Sequence, residues 1–348
     1  MKEICLITGG AGFIGCAVAP LLIEKYHVIV MDSLHPQIHA SHDRPAMLHE
    51  EVDFILGDIT IPEAWDRLLS AKRPSLIIHL AAETGTGQSL TEGSRHALTN
   101  VVGTTQMLDA LVRKQVFPHT IFLSSSRAVY GEGAWKRSNG DIYYPGQRTQ
   151  NQLEQSKWDF EGSKFLPSSS TENRPSPTSI YGATKLAQEH ILKSWAYSFN
   201  VRPVISRFQN VYGVGQSLIN SYTGIVSLFV RIAKEGKSIP LYEDGEMLRD
   251  FIYIDDVATS ILAAIEGASD IISDIGTGTS STIADIATII SKRYHAPEPH
   301  VCGKFRNGDV RHAGCNITET LKSLDWKPKV SLEAGLEKLC GWIDEKVA

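Results

Sequence analysis

No run in this chain approaches the 18 or more consecutive apolar residues needed to cross a bilayer as a helix, so a helical membrane protein is not expected. The five cysteines, Cys5, Cys16, Cys302, Cys315 and Cys340, are odd in number, scattered, and contain no Cys-x-x-Cys pair. That argues against a disulfide framework and against a zinc site. They read instead as small buried apolar groups, and no metal is expected. A basic excess is also missing: 34 Lys and Arg stand against 39 Asp and Glu, for a formal net charge of -5. Nucleic acid is therefore not an expected partner, and any anionic ligand would need local basic positions. The first apolar run, residues 4–7, ends in glycines rather than a cleavage site, so the chain reads as cytoplasmic. No internal repeat is visible.

What is present points to alternating strands and helices. The 348 residues suggest two domains. Residues 3–8 form a short apolar run suited to a buried parallel strand; Gly9-Gly10-Ala11-Gly12-Phe13-Ile14-Gly15 follows, and an apolar segment to about residue 26 reads as a helix. Glycines let a backbone turn tightly and approach a pyrophosphate, whose charge is met by the unpaired N–H groups of the helix start. A second strand, 27–31, ends in Asp32, 17 residues after Gly15 and close to the place of an acid that binds an adenosine ribose. An acid there repels a 2′-phosphate, and no arginine follows directly, so NAD is expected over NADP.

The alternation continues with strand 52–56 running into Asp58, helix 62–72, strand 76–80 running into Ala81, Ala82 and Thr84, a long helix 94–114 containing Asn100, and strand 120–123 running into Ser124-Ser125-Ser126. Repeated βα units imply a doubly wound parallel α/β sheet of the Rossmann type, whose ligands lie beyond the carboxyl ends of the strands. Asp58 could face that ligand or cap the next helix. His79, inside an apolar strand, reads as a satisfied core histidine. Farther on, Tyr181 and Lys185 lie four apart, on one face of a predicted helix, where the ammonium would favour the phenolate of its neighbour. A change of domain is placed near residue 210, with a smaller mixed α/β domain over 211–348 interleaved with the first, 1–210.

Together, Thr8 to Gly15, Asp58-Ile59, His79-Leu80-Ala81-Ala82, Ser124 to Gly131, and Tyr181-Gly-Ala-Thr-Lys185 resemble the extended short-chain dehydrogenase/reductases, and more narrowly the NAD-dependent epimerase/dehydratase group that acts on nucleotide sugars. The resemblance implies catalytic Ser126, Tyr181 and Lys185. It implies an NAD site at Gly9, Gly12, Phe13, Ile14, Gly15, Asp32, Asp58, Ile59, Ala81, Ala82, Thr84, Tyr181 and Lys185. For the nucleotide-sugar substrate it implies Thr84, Ser126, Asn210, Arg249 and Arg306, with Asn100 supporting the lysine. It also implies a homodimer paired through helices 181–199 and 94–114. In the expected reaction Tyr181 takes the C4 hydroxyl proton as hydride leaves C4, and return of hydride to the turned-over 4-keto sugar gives the C4 epimer. A 4,6-dehydratase, a 4-keto reductase and a non-catalytic NAD-sensing module are the alternatives.

Two departures bear on the choice. Dehydratases of the group carry an Asp-Glu pair directly after the catalytic Thr, whereas this chain has Arg127-Ala128, which favours 4-epimerisation. Residues 132–178 form a 47-residue excursion with Trp135, Tyr143, Tyr144, Trp158, Phe160 and Phe165, too many large apolar groups for a linker. An ordered flap near the substrate is expected. Residues 82–89 and 209–217 resemble bacterial 4-epimerases of dTDP-L-rhamnose, which places a dTDP-6-deoxyhexose beside UDP-hexoses as the expected substrate.

Overall fold

In the computed structural model, which describes residues 2–218, 224–267 and 272–346, the apolar runs form the strands of one parallel sheet. Its first five strands are β1 (Glu3–Thr8), β2 (Tyr26–Asp32), β3 (Asp53–Leu56), β4 (Leu76–His79) and β5 (Thr120–Ser126). Across the sheet they run β3-β2-β1-β4-β5, followed by Arg202–Phe208 and then Ser273–Ile275. The sheet is covered on both faces, which is why its strands read as unbroken apolar runs. Alternation along β1 assigns the layers: Cys5 and Ile7 pack with Val18, Ala19, Leu22, Val257 and Ile261. Leu6, pointing the other way, packs with Trp65, Leu68, Met107, Leu111 and Leu192.

The chain reverses direction across the sheet between β1 and β4, so the carboxyl ends of these two strands flank a crevice. The seventh strand and the helix Ile254–Glu266, which packs beside α1 (Phe13–Leu22), both come from beyond residue 210. The C-terminal part thus re-enters the sheet. Its own core, including Val226, Phe229, Val230, Ile286, Ile290, Leu336 and Leu339, is separate. The sequence suggests a helix around 223–234 in this part; Ile225–Lys234 is observed, and Thr223 lies outside the described residues.

The expected helix 94–114 is interrupted. It runs as Gly93–Ala97, a wide π turn at Leu98–Val102, and Gly103–Arg113. Asn100 sits in the π turn with its side chain fully buried, the kind of helical irregularity often found at functional sites.

The excursion is structured. Ala134–Arg137 pairs antiparallel with Ile142–Tyr143 on one side and Ser163–Leu166 on the other. Trp135 is buried, its ring centroid 4.9 Å from that of Phe160, 6.0 Å from Phe165 and 5.5 Å from His312. Charge fastens this small sheet to the C-terminal part. Arg148 donates to Glu243 Oε1 and Oε2, both at 2.8 Å, and to Glu132 Oε1 at 3.2 Å. Arg311 donates to Asp244 at 2.6 and 2.8 Å and to Asp159 at 2.8 Å.

Candidate active site

The glycine turn separates chain-imposed glycines from one left open. Gly9 has φ +65°, and a Cβ there would lie 2.6 Å from the Ala81 backbone; a Cβ on Gly15 would lie 2.3 Å from Gly10 Cα. Both positions need glycine for close packing of turn, strand and helix. A Cβ on Gly12 would meet only Gly9 O, at 3.2 Å, so the space beside Gly12 is kept clear for something other than this chain. Gly12 is also the N-cap of α1, which has no side-chain cap and no acid in its first turn. Its positive end is therefore free to face an anion.

Asp32 organises this turn. One carboxylate oxygen accepts from Ala11 N at 3.1 Å and the other from Leu34 N at 2.9 Å. Asp58 is exposed and accepts from Thr60 N and Thr60 Oγ1, both at 2.8 Å. Its carboxylate closes a local turn rather than capping the next helix, whose N-cap is Ile61. Ile59 is buried, and its carbonyl accepts from Trp65 Nε1 at 2.8 Å.

Behind the turn runs a one-way chain of neutral hydrogen bonds. Thr104 Oγ1 donates its single proton to Asn100 O at 2.6 Å, so it must accept from His79 Nε2 at 3.0 Å. His79 Nδ1 then accepts from Thr8 Oγ1 at 2.7 Å. Burial, with Lys185 nearby, lowers His79 to about 3, so the ring is neutral, as expected of a core histidine. Asn100 finishes the chain: its Oδ1 accepts from Glu83 N at 2.8 Å, and its Nδ2 donates to Glu83 O at 3.0 Å and Thr184 Oγ1 at 2.9 Å. The segment carrying Ala81, Ala82 and Thr84 is thereby tied to the helix that bears Lys185.

That helix, Ile180–Phe199, begins at N-cap Ser179, whose side chain accepts from Gly182 N at 3.0 Å, and ends at Asn200 in the left-handed region. Tyr181 and Lys185 share its inner face, the tyrosine edge-on to His96 at 6.4 Å between centroids. The expected charge effect is corrected here. Burial raises the phenol above its ordinary range; a hydrogen bond with the Ser126 hydroxyl and the Arg127 charge act the other way. Lys185 is itself fully buried, which brings its ammonium down to about 7 against the pull of Glu189. It forms no hydrogen bond or ion pair with any described residue.

Ser126, at the end of β5, caps the next turn by accepting from Ala128 N at 3.2 Å. The adjoining cleft is lined by Thr86, Arg127, Thr178, Ser179, Arg249 and Asp309, among others. Arg127 Nε donates to Asn210 Oδ1 at 2.7 Å, and burial with Arg249 close by lowers its guanidinium to about 9. Arg249 is in place, but its Nη1 and Nη2 donate to the carbonyls of Leu248, Arg311 and Val310. Arg306 is exposed, with its guanidinium 5.1 Å from the Tyr242 ring centroid. Sequence reading registered Arg127 only for the acids it displaces. Its signal was a charged residue directly beside the serine.

These residues fit a dinucleotide: an uncapped helix start beside an open glycine, a carboxylate at the end of β2, and a buried ammonium without an acceptor. The comparisons agree. The model of the NAD dependent epimerase/dehydratase family matches residues 5–276. The dTDP-L-rhamnose 4-epimerase of Burkholderia thailandensis is 56% identical over 345 residues, covering 98% of this chain and 95% of that protein. Among solved structures, UDP-glucose 4-epimerase of Thermotoga maritima, with UDP-glucose, is 29% identical, with a TM-score of 0.83 over 99% of this chain and 100% of the other. UDP-glucuronic acid 4-epimerase of Bacillus cereus, with UDP-glucuronic acid and NAD, is 26% identical, with a TM-score of 0.78 and the same coverage. On this fold, this turn and these matches, the chain belongs to the NAD dependent epimerase/dehydratase family, as an NAD-dependent isomerase that epimerises C4 of a nucleotide-diphosphate sugar.

Proposed function

We propose that the substrate is a dTDP-6-deoxyhexose, dTDP-L-rhamnose or its C4 epimer, and that Ser126, Tyr181 and Lys185 carry the reaction. The identity of 56% along nearly the full length of both chains carries the sugar assignment. NAD, when bound, accepts the C4 hydride and returns it. Tyr181 removes the C4 hydroxyl proton and later restores it, while Ser126, hydrogen-bonded to the phenol, steadies the reacting oxygen. Lys185 supplies the donors that a nicotinamide ribose would accept. With Arg127-Ala128 after Ser126 in place of two carboxylic acids, elimination of water has no proton shuttle there, which favours return of hydride to C4.

The test is to incubate the enzyme with dTDP- and UDP-hexoses and follow the products by NMR. An equilibrium between two C4 epimers of a dTDP-6-deoxyhexose is expected; build-up of a 4-keto-6-deoxy sugar, or turnover of UDP-hexoses alone, would overturn the reading.

The proposal includes a homodimer in a cytoplasmic setting. A groove of about 540 Å³ between the helices Gly103–Arg113 and Ile180–Phe199 is lined by Leu108, Ile191, Trp195 and Phe199, among others. Leu98 and Val102, in the π turn before the first of these helices, and Tyr197 and Phe199, on the second, stand exposed, apolar groups suited to a second copy. Sedimentation showing only monomer at micromolar concentration would exclude the dimer. The cytoplasmic setting is supported by five cysteines that all stand unpaired; a disulfide in the protein isolated under oxidant-free conditions would count against it.

A further inference from the structure

Arg127 is engaged on one side only. Its Nε–H donates to Asn210 Oδ1, but its two terminal amino groups form no hydrogen bond or ion pair with any described residue, and the side chain lines the cleft beside Ser126. The bond also orients its partner. Because Asn210 Oδ1 accepts from Arg127, the N–H donors of the Asn210 amide are the groups left for a ligand, and they form no hydrogen bond with any described residue. The other cleft arginine differs: Arg249 is fastened to the carbonyls of residues 248, 310 and 311. Arg306 lies over the Tyr242 ring, at 5.1 Å from its centroid.

A cation set among protein groups needs an anion. Of the acids whose charge Arg127 feels, Asp309 and Glu132, neither forms an ion pair with it, and Glu132 is held by Arg148 Nε and Arg311 N. A sugar hydroxyl could accept an N–H bond but would leave the charge uncompensated. In a neutral-sugar nucleotide the diphosphate alone carries negative charge, and a guanidinium fork meets phosphate oxygens with paired, charge-assisted bonds. An arginine rooted beside the reacting carbon is long enough to reach along one hexose ring to the phosphate on C1.

We propose that Arg127 grips the sugar-bearing β-phosphate of the nucleotide sugar, with the Asn210 amide donating to the same group, so that one residue links the phosphate anchor to the catalytic serine next to it. This rests on the reading of the cleft as a nucleotide-sugar site.

The experiment measures calorimetric binding of dTDP, dTMP, UDP and UMP to NAD-loaded wild type, Arg127→Gln and Arg127→Lys, with melting temperature and NAD content as controls. A lost charge-assisted bond to the β-phosphate should weaken dTDP by about 10- to 100-fold in Arg127→Gln and leave dTMP within about threefold. The KM of the nucleotide sugar should rise in step while kcat moves less. Arg127→Lys, which keeps a point charge and is expected to fold, should recover part of the dTDP affinity and none of any dTMP effect. Equal losses for diphosphate and monophosphate, or no loss for either, in variants with wild-type melting and NAD content would overturn the assignment. Wild type that binds none of the four nucleotides would sink the nucleotide-sugar reading instead, a result distinguishable because it requires no variant.

Discussion

The strands beside the glycine turn, β1 and β4, and the excursion 132–178 are held by opposite kinds of force. Around β1 and β4, apolar side chains alternate into two layers, and the buried polar groups Thr8, His79, Thr104 and Asn100 are neutral and joined in one direction, the buried ion pair Arg207–Glu189 lying toward the other edge of the sheet. In the excursion, Arg148, with its side chain 1% exposed, is ringed by Glu132 and Glu243, while Arg311 bridges Glu243, Asp244 and Asp159. Buried neutral bonds of this kind need only matching donors and acceptors. Buried ions need full compensation, so loss of one partner costs more than the pair was worth. Loss of one partner should therefore cost less on the cofactor side than among the ions of the excursion.

The largest effect should appear where the two regions meet, at the start of Ile180–Phe199. Tyr181→Phe removes one hydroxyl and is expected to lower turnover by about 10²- to 10⁴-fold while melting temperature and NAD content stay near wild type. Steady-state rates within a few-fold of wild type would mean that the acid/base lies elsewhere.

Next in size is a test of the excursion's charges. Arg148→Ala should cost about 3–5 kcal/mol in chemical denaturation because Glu132 and Glu243 lose their shared guanidinium. Pairing Arg148→Met with Glu132→Leu should recover part of that, since Glu132 is removed with its partner while Glu243 keeps only Arg311 Nη1, at 3.2 Å. A double variant no more stable than Arg148→Ala would erase the contrast with the apolar sheet.

The smallest effect concerns the neutral chain. His79 sits at about 3 in the folded protein against an ordinary 6.5, so its contribution is fully present above pH 6.5 and is lost as pH falls toward 3. Between those values the unfolded chain binds the extra proton, and stability should fall by about 1.4 kcal/mol per pH unit. Denaturation of wild type and His79→Gln at pH 7, 6 and 5 should show the steeper decline in wild type only; parallel declines would remove His79 from the account.

The same contrast explains what could be read from the residues alone. The strands, the two layers, Gly9, Gly15, Asp32 and the placing of Tyr181 beside Lys185 on one helical face follow from period and spacing, because apolar burial and glycine geometry are local properties. The π turn around Asn100 does not follow, because helical period is insensitive to one widened turn fixed by Glu83 and Thr184. Nor could Arg148 and Arg311 be paired in advance with acids 95 and 67 residues away in sequence, respectively Glu243 and Asp244. In a one-dimensional reading a charged residue looks like surface. The direction of the Tyr181 shift does not follow either: spacing shows that an ammonium is near, but burial of the phenol itself, which raises it, belongs to the third dimension.

The neck of the excursion has an evolutionary consequence. Ser176 N donates to Val129 O at 2.9 Å, so the chain leaves the end of β5 and returns almost to its point of departure before entering the catalytic helix. Closing a flexible loop costs only about 0.6 kcal/mol more for each doubling of its length. A change of length at the exposed turns beyond that neck, away from Glu132, Arg148 and Asp159, would therefore leave the serine and the tyrosine together.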